Sequence, residues 1–189
     1  MVLFVNGCVR ENSRTRELAQ AVLAHMAEKV EEIRLYPDGP EGLDGEKLHL
    51  REQLLAKKAY DHPMFRFAGQ FAAAGTIVLA APYWDLAFPA KMRAYLEEVT
   101  VSGITFQYGA DGVPQGLCRA KRLIYVTTAG GPVVQNFGFE YVKSLAHTFY
   151  GIPDVCLVKA ECLDVWGNDS AGILERAKGE IPALLSRHG

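Results

Sequence analysis

Metal sites and nucleotide loops leave short signatures, and this sequence has none of them. Its four cysteines, Cys8, Cys118, Cys156 and Cys162, form no C-x-x-C pair, and its five histidines form no H-x-x-x-H pair. Structural zinc sites are built on such spacings, so metal binding has little support. Neither G-x-G-x-x-G nor G-x-x-x-x-G-K-[ST] occurs; the turn after the first apolar run holds only Gly7. Both motifs use glycines to bring backbone close to a pyrophosphate, and their absence argues against a dinucleotide fold of that kind. Charge of one sign is missing as well. Lys and Arg number 20 against 22 Asp and Glu, a formal net charge of -2, without the basic excess of a nucleic-acid binder. The longest nearly uncharged stretch, 67–84, is interrupted by Gln70, two glycines and Pro82, which argues against a membrane span. No basic segment leads into an apolar one at the N-terminus, so a secretory signal is not expected. The protein is read as cytoplasmic, with reduced thiols that serve packing.

What is present is an alternation of short apolar runs with stretches of helical period. The runs lie at 2–5, 32–35, 77–81, 123–127 and 155–158. Runs this short, β-branched and bounded by Gly or Pro read as strands buried on both faces of a parallel sheet. Between them, Leu18, Val22, Met26 and Val30 recur every four residues, which predicts a helix from near Ser13, capped by Asn12 or Ser13. Two shorter helical segments follow at 46–59 and 64–73. Pro89 stands at the first position of a helix whose stripe is Met92, Tyr95, Leu96 and Val99. Residues 104–108 read as a strand or hairpin arm before the turn at 109–112. A helix from about Gln135 to Tyr150 stops at Gly151, and a last one starts at Asp169 or Ser170, with Gly179 and Pro182 expected to break or kink it. The pattern predicts an α/β fold: one doubly wound domain over 1–189, a five-stranded parallel sheet with helices on both faces. At 189 residues it is large enough to bury roughly 70% of its unfolded surface.

Ligands in open parallel sheets bind beyond the carboxyl ends of the strands, so three turns draw attention. The first carries Ser13 and Thr15 at a helix N-terminus, with Arg10, Arg14 and Arg16 nearby. Free N–H groups and a macrodipole equivalent to about +0.5 charge suit a phosphate there. The second carries Pro82, Tyr83, Trp84, Asp85 and Leu86, against which a flat aromatic ligand can lie. The third, Thr127 and Thr128 followed by Ala129, Gly130 and Gly131, pairs two glycines that let backbone come close to a ligand.

Five segments in order resemble the FMN-dependent NADH:quinone oxidoreductases, also called NADH-azoreductases, of flavodoxin-like fold. S-R-T-R-E-L at 13–18 is similar to that family's S-x-S-x-x-L phosphate turn. A-P-Y-W-D-L-A-F-P-A-K-M-R-A-Y-L-E-E-V at 81–99 is similar to its A-P-M-Y-N-F loop and following helix. G-I-T-F-Q-Y-G-A-D-G-V-P-Q-G-L at 103–117 resembles its G-x-T-F-x-Y…G…G-L excursion, 127–131 its T-S-R-G-G turn, and Ala160-Glu161 the A-E ending its last strand. The resemblance implies that Ser13, Arg14 and Thr15 hold the FMN phosphate. It implies that Pro82, Tyr83, Trp84, Asp85 and Leu86 line the isoalloxazine, and that Thr128, Ala129, Gly130 and Gly131 close its other edge. Asp85 stands where the family usually has Asn, and Ala129 where an Arg is common.

The activity so implied is two-electron, ping-pong reduction of a quinone or azo compound by NADH or NADPH. The flavin supplies the chemistry, so no side chain is named as acid or base. A homodimer with the site at its interface is implied too. Alternatives on the same fold are a flavodoxin-type electron carrier, an NADPH-dependent FMN reductase and a flavin-free binding module. Phe106, Tyr108 and the Phe65, Phe67, Phe71 cluster are candidates for a pocket wall, with core packing or a dimer contact as the alternative for the cluster.

Overall fold

The five apolar runs pair side by side, all parallel, in a computed structural model that describes residues 1–187. In chain order the elements are β1 (Val2–Asn6), α1 (Arg14–Leu23), β2 (Val30–Arg34), α2 (Gly45–Ala56), α3 (Arg66–Ala73), β3 (Thr76–Ala80), α4 (Ala90–Val99), β4 (Phe106–Tyr108), β5 (Pro114–Gly116), β6 (Arg122–Thr128), α5 (Phe137–Leu145), β7 (Asp154–Ala160) and α6 (Ser170–Arg187). The sheet order is β2-β1-β3-β6-β7. The chain winds outward from β1 to β2, then crosses back over β1 to β3. The crevice between the carboxyl ends of β1 and β3 is therefore the switch point where ligands bind in such sheets.

Alternation along each strand sends side chains to two cores. Leu3, Val5, Ile77, Leu79, Leu123 and Tyr125 pack on one face with Tyr95, Leu96 and Val142, from α4 and α5. Val2, Phe4, Val78, Ala80, Ile124 and Val126 pack on the other with Leu18, Val22, Leu174 and Ile181, from α1 and α6. Each fully buried aliphatic or aromatic side chain contributes about 1.5–3 kcal/mol, and both faces of the sheet are covered. Phe65 and Phe71 are buried, and Phe67 meets the Tyr95 ring edge-on at 5.6 Å. Phe65 and Phe71 are core, whereas half-buried Phe67 also lines a separate cavity with Glu32, Arg34 and Gln70, away from the switch point.

Three expectations need correction. The helix after β1 does not run through Met26 to Val30; it ends at Leu23, and β2 starts at Val30 instead of Glu32. Val30 lies opposite Val2, so strand pairing outweighs a helical spacing that Met26 satisfies by leaning on the same core. Pro89 is the residue before α4, not its first residue, while Met92, Tyr95, Leu96 and Val99 are all buried as the stripe requires. Of the break or kink expected at Gly179 and Pro182, the break is absent: α6 is continuous through both. Leu174, Ala177 and Ile181 are buried along one stripe, and this packing offsets the roughly 3 kcal/mol that an internal proline costs.

The excursion after α4 is an antiparallel hairpin, with Phe106 opposite Gly116. The buried Thr105 hydroxyl anchors it, donating to Val99 O at 2.8 Å and accepting from Val101 N–H at 3.0 Å. A Cβ on Gly116 would strike the backbone of Tyr150 and Gly151, so only glycine lets the hairpin lie this close to the end of α5. A wide turn, Ala146–Tyr150, continues α5, and Gly151 at φ 70° ends it, as its sequence position suggested.

Candidate active site

A cavity of about 250 Å³ opens at the switch point, walled by the turns after β1, β3 and β6. From the first turn come Asn12, Ser13, Arg14 and Thr15, with Val9 and Arg10 at the rim. Ser13 is the N-cap of α1: its backbone is extended and its Oγ accepts from Arg16 N–H at 3.3 Å. The N–H groups of Arg14 and Thr15 lie in the first turn, where no intrahelical acceptor exists. They, the helix dipole and two guanidinium groups make one end of the cavity a donor-rich anion cradle. Cys8 is buried behind this turn, and burial pushes its thiol up against the opposing pull of the Ser13 hydroxyl.

Thr15 is placed differently from a free phosphate donor. Its hydroxyl, nearly inaccessible, bonds Thr128 Oγ1 at 2.6 Å and ties the start of α1 to the end of β6. What Thr15 offers the cavity is chiefly its main chain.

From the second turn, Pro82, Tyr83 and Trp84 line the cavity. Tyr83 N–H donates to Thr128 O at 3.0 Å, and its phenol donates to Gln135 O at 2.7 Å. Trp84 and Ala87 exchange backbone bonds around Asp85 and Leu86, at φ 49° and 68°. Two consecutive left-handed residues are the geometry of a type I′ turn, which favours Asn-Gly. Here neither residue is glycine. Strain of this kind persists only where surroundings enforce it and gathers at functional sites; Leu86 O is held by Phe137 N–H at 2.9 Å. Asp85 and Leu86 form the exposed tip, beside the cavity instead of in its wall.

The third turn sets Thr128 and Gly130 in the wall; Ala129 is buried beneath, and Gly131 is exposed beyond it. Its carbonyls are engaged by the loop after β7. Cys162 N–H donates to Gly131 O, Leu163 N–H to Ala129 O and Asp164 N–H to Gly130 O, at 3.0, 3.2 and 2.8 Å. Glu161 braces the same region, accepting from Val133 N–H at 2.8 Å and Lys159 Nζ at 2.9 Å, bonds that hold its carboxyl below the usual range.

That loop brings a residue that sequence reading missed. Asp164 lines the cavity and pairs in a fork with Arg14, Nη1 to Oδ1 at 2.8 Å and Nη2 to Oδ2 at 2.9 Å. Arg14 holds the Asp164 carboxyl low, aided by Arg10, and Asp164 raises Arg14 in return. The signal was available in principle: Asp164 lies four residues past the end of β7, and β7 runs parallel beside β6, so its following loop rises over the same edge.

A family model described as flavodoxin-like fold matches residues 1–184. An FMN-dependent NADH:quinone oxidoreductase from Coprothermobacter proteolyticus is 32% identical over 98% of this chain and 98% of its own length. This chain belongs to that family. FMN-dependent NADH:quinone oxidoreductase 2 from Clostridium acetobutylicum is 38% identical over 77% of this chain and 76% of its own. Among solved structures, an azoreductase from Bacillus anthracis str. Sterne superposes with a TM-score of 0.82, covering 98% of both chains at 24% identity, a likeness of fold. An FMN-dependent NADH-azoreductase from Bacillus anthracis str. Ames Ancestor, in complex with FMN, gives 0.80 at 21% identity over 100% of this chain and 99% of that one. The expected fold class is thereby borne out. Membership in a family of oxidoreductases accords with a cavity that offers a donor-rich cradle and an aromatic wall, since in flavoenzymes the protein supplies binding and orientation. Among the described residues no group of His, Cys, Asp and Glu is arranged for a metal ion, and no helix is long and apolar enough to cross a membrane.

Proposed function

We propose that this chain, as one domain over 1–189, binds FMN in the switch-point cavity and uses it to pass two electrons from NADH to a quinone or azo compound. The observation that carries the reading is the single cavity wall shared by an anion cradle at α1 and the aromatic turn after β3. The donor set fits the group. At the cradle, the main-chain N–H groups of Arg14 and Thr15, the Ser13 hydroxyl and the Arg10 and Arg14 guanidinium groups match a phosphate. At the other end, Tyr83, Trp84 and the backbone around Gly130 suit a flat heteroaromatic ring. Bound FMN would supply hydride chemistry between nicotinamide and acceptor.

The chain's own residues would do the rest. Tyr83, locked through Thr128 and Gln135, fixes the height of the aromatic turn. The exposed tip at Asp85 and Leu86 stands beside that end of the cavity, where the Asp85 carboxylate would be available to a ring edge. No side chain need move a proton. A cavity of about 250 Å³ is below the usual 300–1,000 Å³ of ligand pockets, and Trp84, Leu86 and Phe137 are exposed beside it. Both facts support a homodimer in which a second copy covers this side. NADH is the donor the relatives' names carry; NADPH is proposed as an alternative donor, and the cytoplasm as the site of action. Initial rates with NADH and a soluble quinone test the scheme. Parallel double-reciprocal lines are expected, since the nicotinamide leaves before the acceptor enters; intersecting lines would overturn the order, and no turnover would overturn the activity.

A further inference from the structure

We propose that Asp164 sets how strongly this cavity prefers a phosphorylated flavin, by competing with the phosphate for Arg14. The proposal rests on the FMN reading above and adds to it a determinant of cofactor choice. Asp164 is fixed by its backbone, through the three N–H bonds that the 162–164 segment donates to carbonyls of the third turn. Its carboxylate lies over Gly130, in space a Cβ there would fill. From that position it takes two of the five guanidinium N–H groups of Arg14, and the same Nη1 also donates to Leu163 O at 3.3 Å. The fork of Arg14 is therefore turned toward the loop after β7, and its charge is matched by a carboxylate inside the cavity wall.

A phosphate entering the α1 cradle meets that carboxylate. It must either draw Arg14 away from Asp164 or bind with the pair intact, relying on Ser13, the helix N-terminus and Arg10. Both routes weaken phosphate binding relative to a cavity without Asp164. Riboflavin, which has the ring and ribityl chain but no phosphate, meets no such opposition. The pair is half-open to solvent, with side-chain exposures of 34% and 64%. Exposed pairs of this kind are weak, so the phosphate can disrupt it at modest cost.

The test is titration of FMN and of riboflavin, by flavin-fluorescence quenching, into the full chain freed of flavin. Wild type, Asp164→Asn, Arg14→Gln and the double variant are compared, with thermal melts confirming that each folds. Asp164→Asn should tighten FMN by about five-fold, the scale of an exposed ion pair, and leave riboflavin within about two-fold. Arg14→Gln, which leaves Asp164 facing the phosphate alone, should weaken FMN more than the double variant does. Equal FMN affinity in wild type and Asp164→Asn overturns the proposal. So does parallel loss of both flavins in Asp164→Asn, which would make the residue a strap for the loop. Wild type that binds neither flavin overturns the cofactor reading and the proposal together, a result distinct from the other two.

Discussion

Replacing Thr15 by valine should destabilise the protein well beyond its size change, because of what it leaves behind. The Thr15 and Thr128 hydroxyls bond each other at 2.6 Å with both residues buried. Valine keeps the volume and removes one partner, leaving the largely buried Thr128 hydroxyl without its bond. An orphaned buried hydroxyl costs about 1–3 kcal/mol, whereas replacing both partners by apolar groups can be nearly neutral. Thr15→Val is therefore expected to cost about 2 kcal/mol, and Thr128→Val about the same. In a chain of 189 residues each kcal/mol corresponds to about 2–4 °C, so each single variant should melt about 4–8 °C below wild type. The double variant should recover to within about 1 kcal/mol of wild type, a coupling of about 3 kcal/mol. Urea unfolding of all four proteins gives the cycle. Additive losses, with the double variant about 4 kcal/mol down, would refute the view that this bond ties α1 to β6 at the floor of the site.

Two further outcomes follow from local geometry. Leu86→Gly should raise the melting temperature: it relieves a left-handed backbone at φ 68° in an exposed side chain, about 1–2 kcal/mol, against an entropy cost of about 0.5–1 kcal/mol. A fall in melting temperature would show that the tip is unstrained or that the Leu86 side chain holds it. Glu161 has its folded-state carboxyl lowered by Val133 N–H and Lys159, so it stabilises above its unfolded value and loses that contribution as pH falls through the lowered one. Wild type should thus exceed Glu161→Gln in stability at pH 7, with the gap closing in acid; a gap that widens as pH falls would contradict the sign.

The sheet was legible because parallel strands buried on both faces must be short and apolar, and 77–81 and 123–127 admit little else. The turns were legible as a set: Ser13, Tyr83, Trp84 and Gly130 meet in one cavity because they share the carboxyl edge of the sheet. What escaped was tertiary. Period alone carried α1 toward Val30, but Val30 pairs with Val2, and no local pattern announces which of two strong signals prevails. Pro182 is a helix breaker by type, yet α6 runs through it with Ile181 fully buried beside it. Arg14 and Asp164 are 150 residues apart, and neither type nor spacing marks them as partners. Thr15 drew notice as a hydroxyl for phosphate; its bond to Thr128 spans 113 residues. The strain at Asp85 and Leu86 was likewise hidden, since Asp-Leu is not the sequence such a turn usually selects.

The measurement that bears most directly on the central claim is an anaerobic NADH titration of the purified protein after loading with FMN and desalting. A flavin absorption should be retained, bleach with one equivalent of NADH per flavin and return when a quinone is added. Flavin lost on desalting, or retained but untouched by NADH, would contradict that claim.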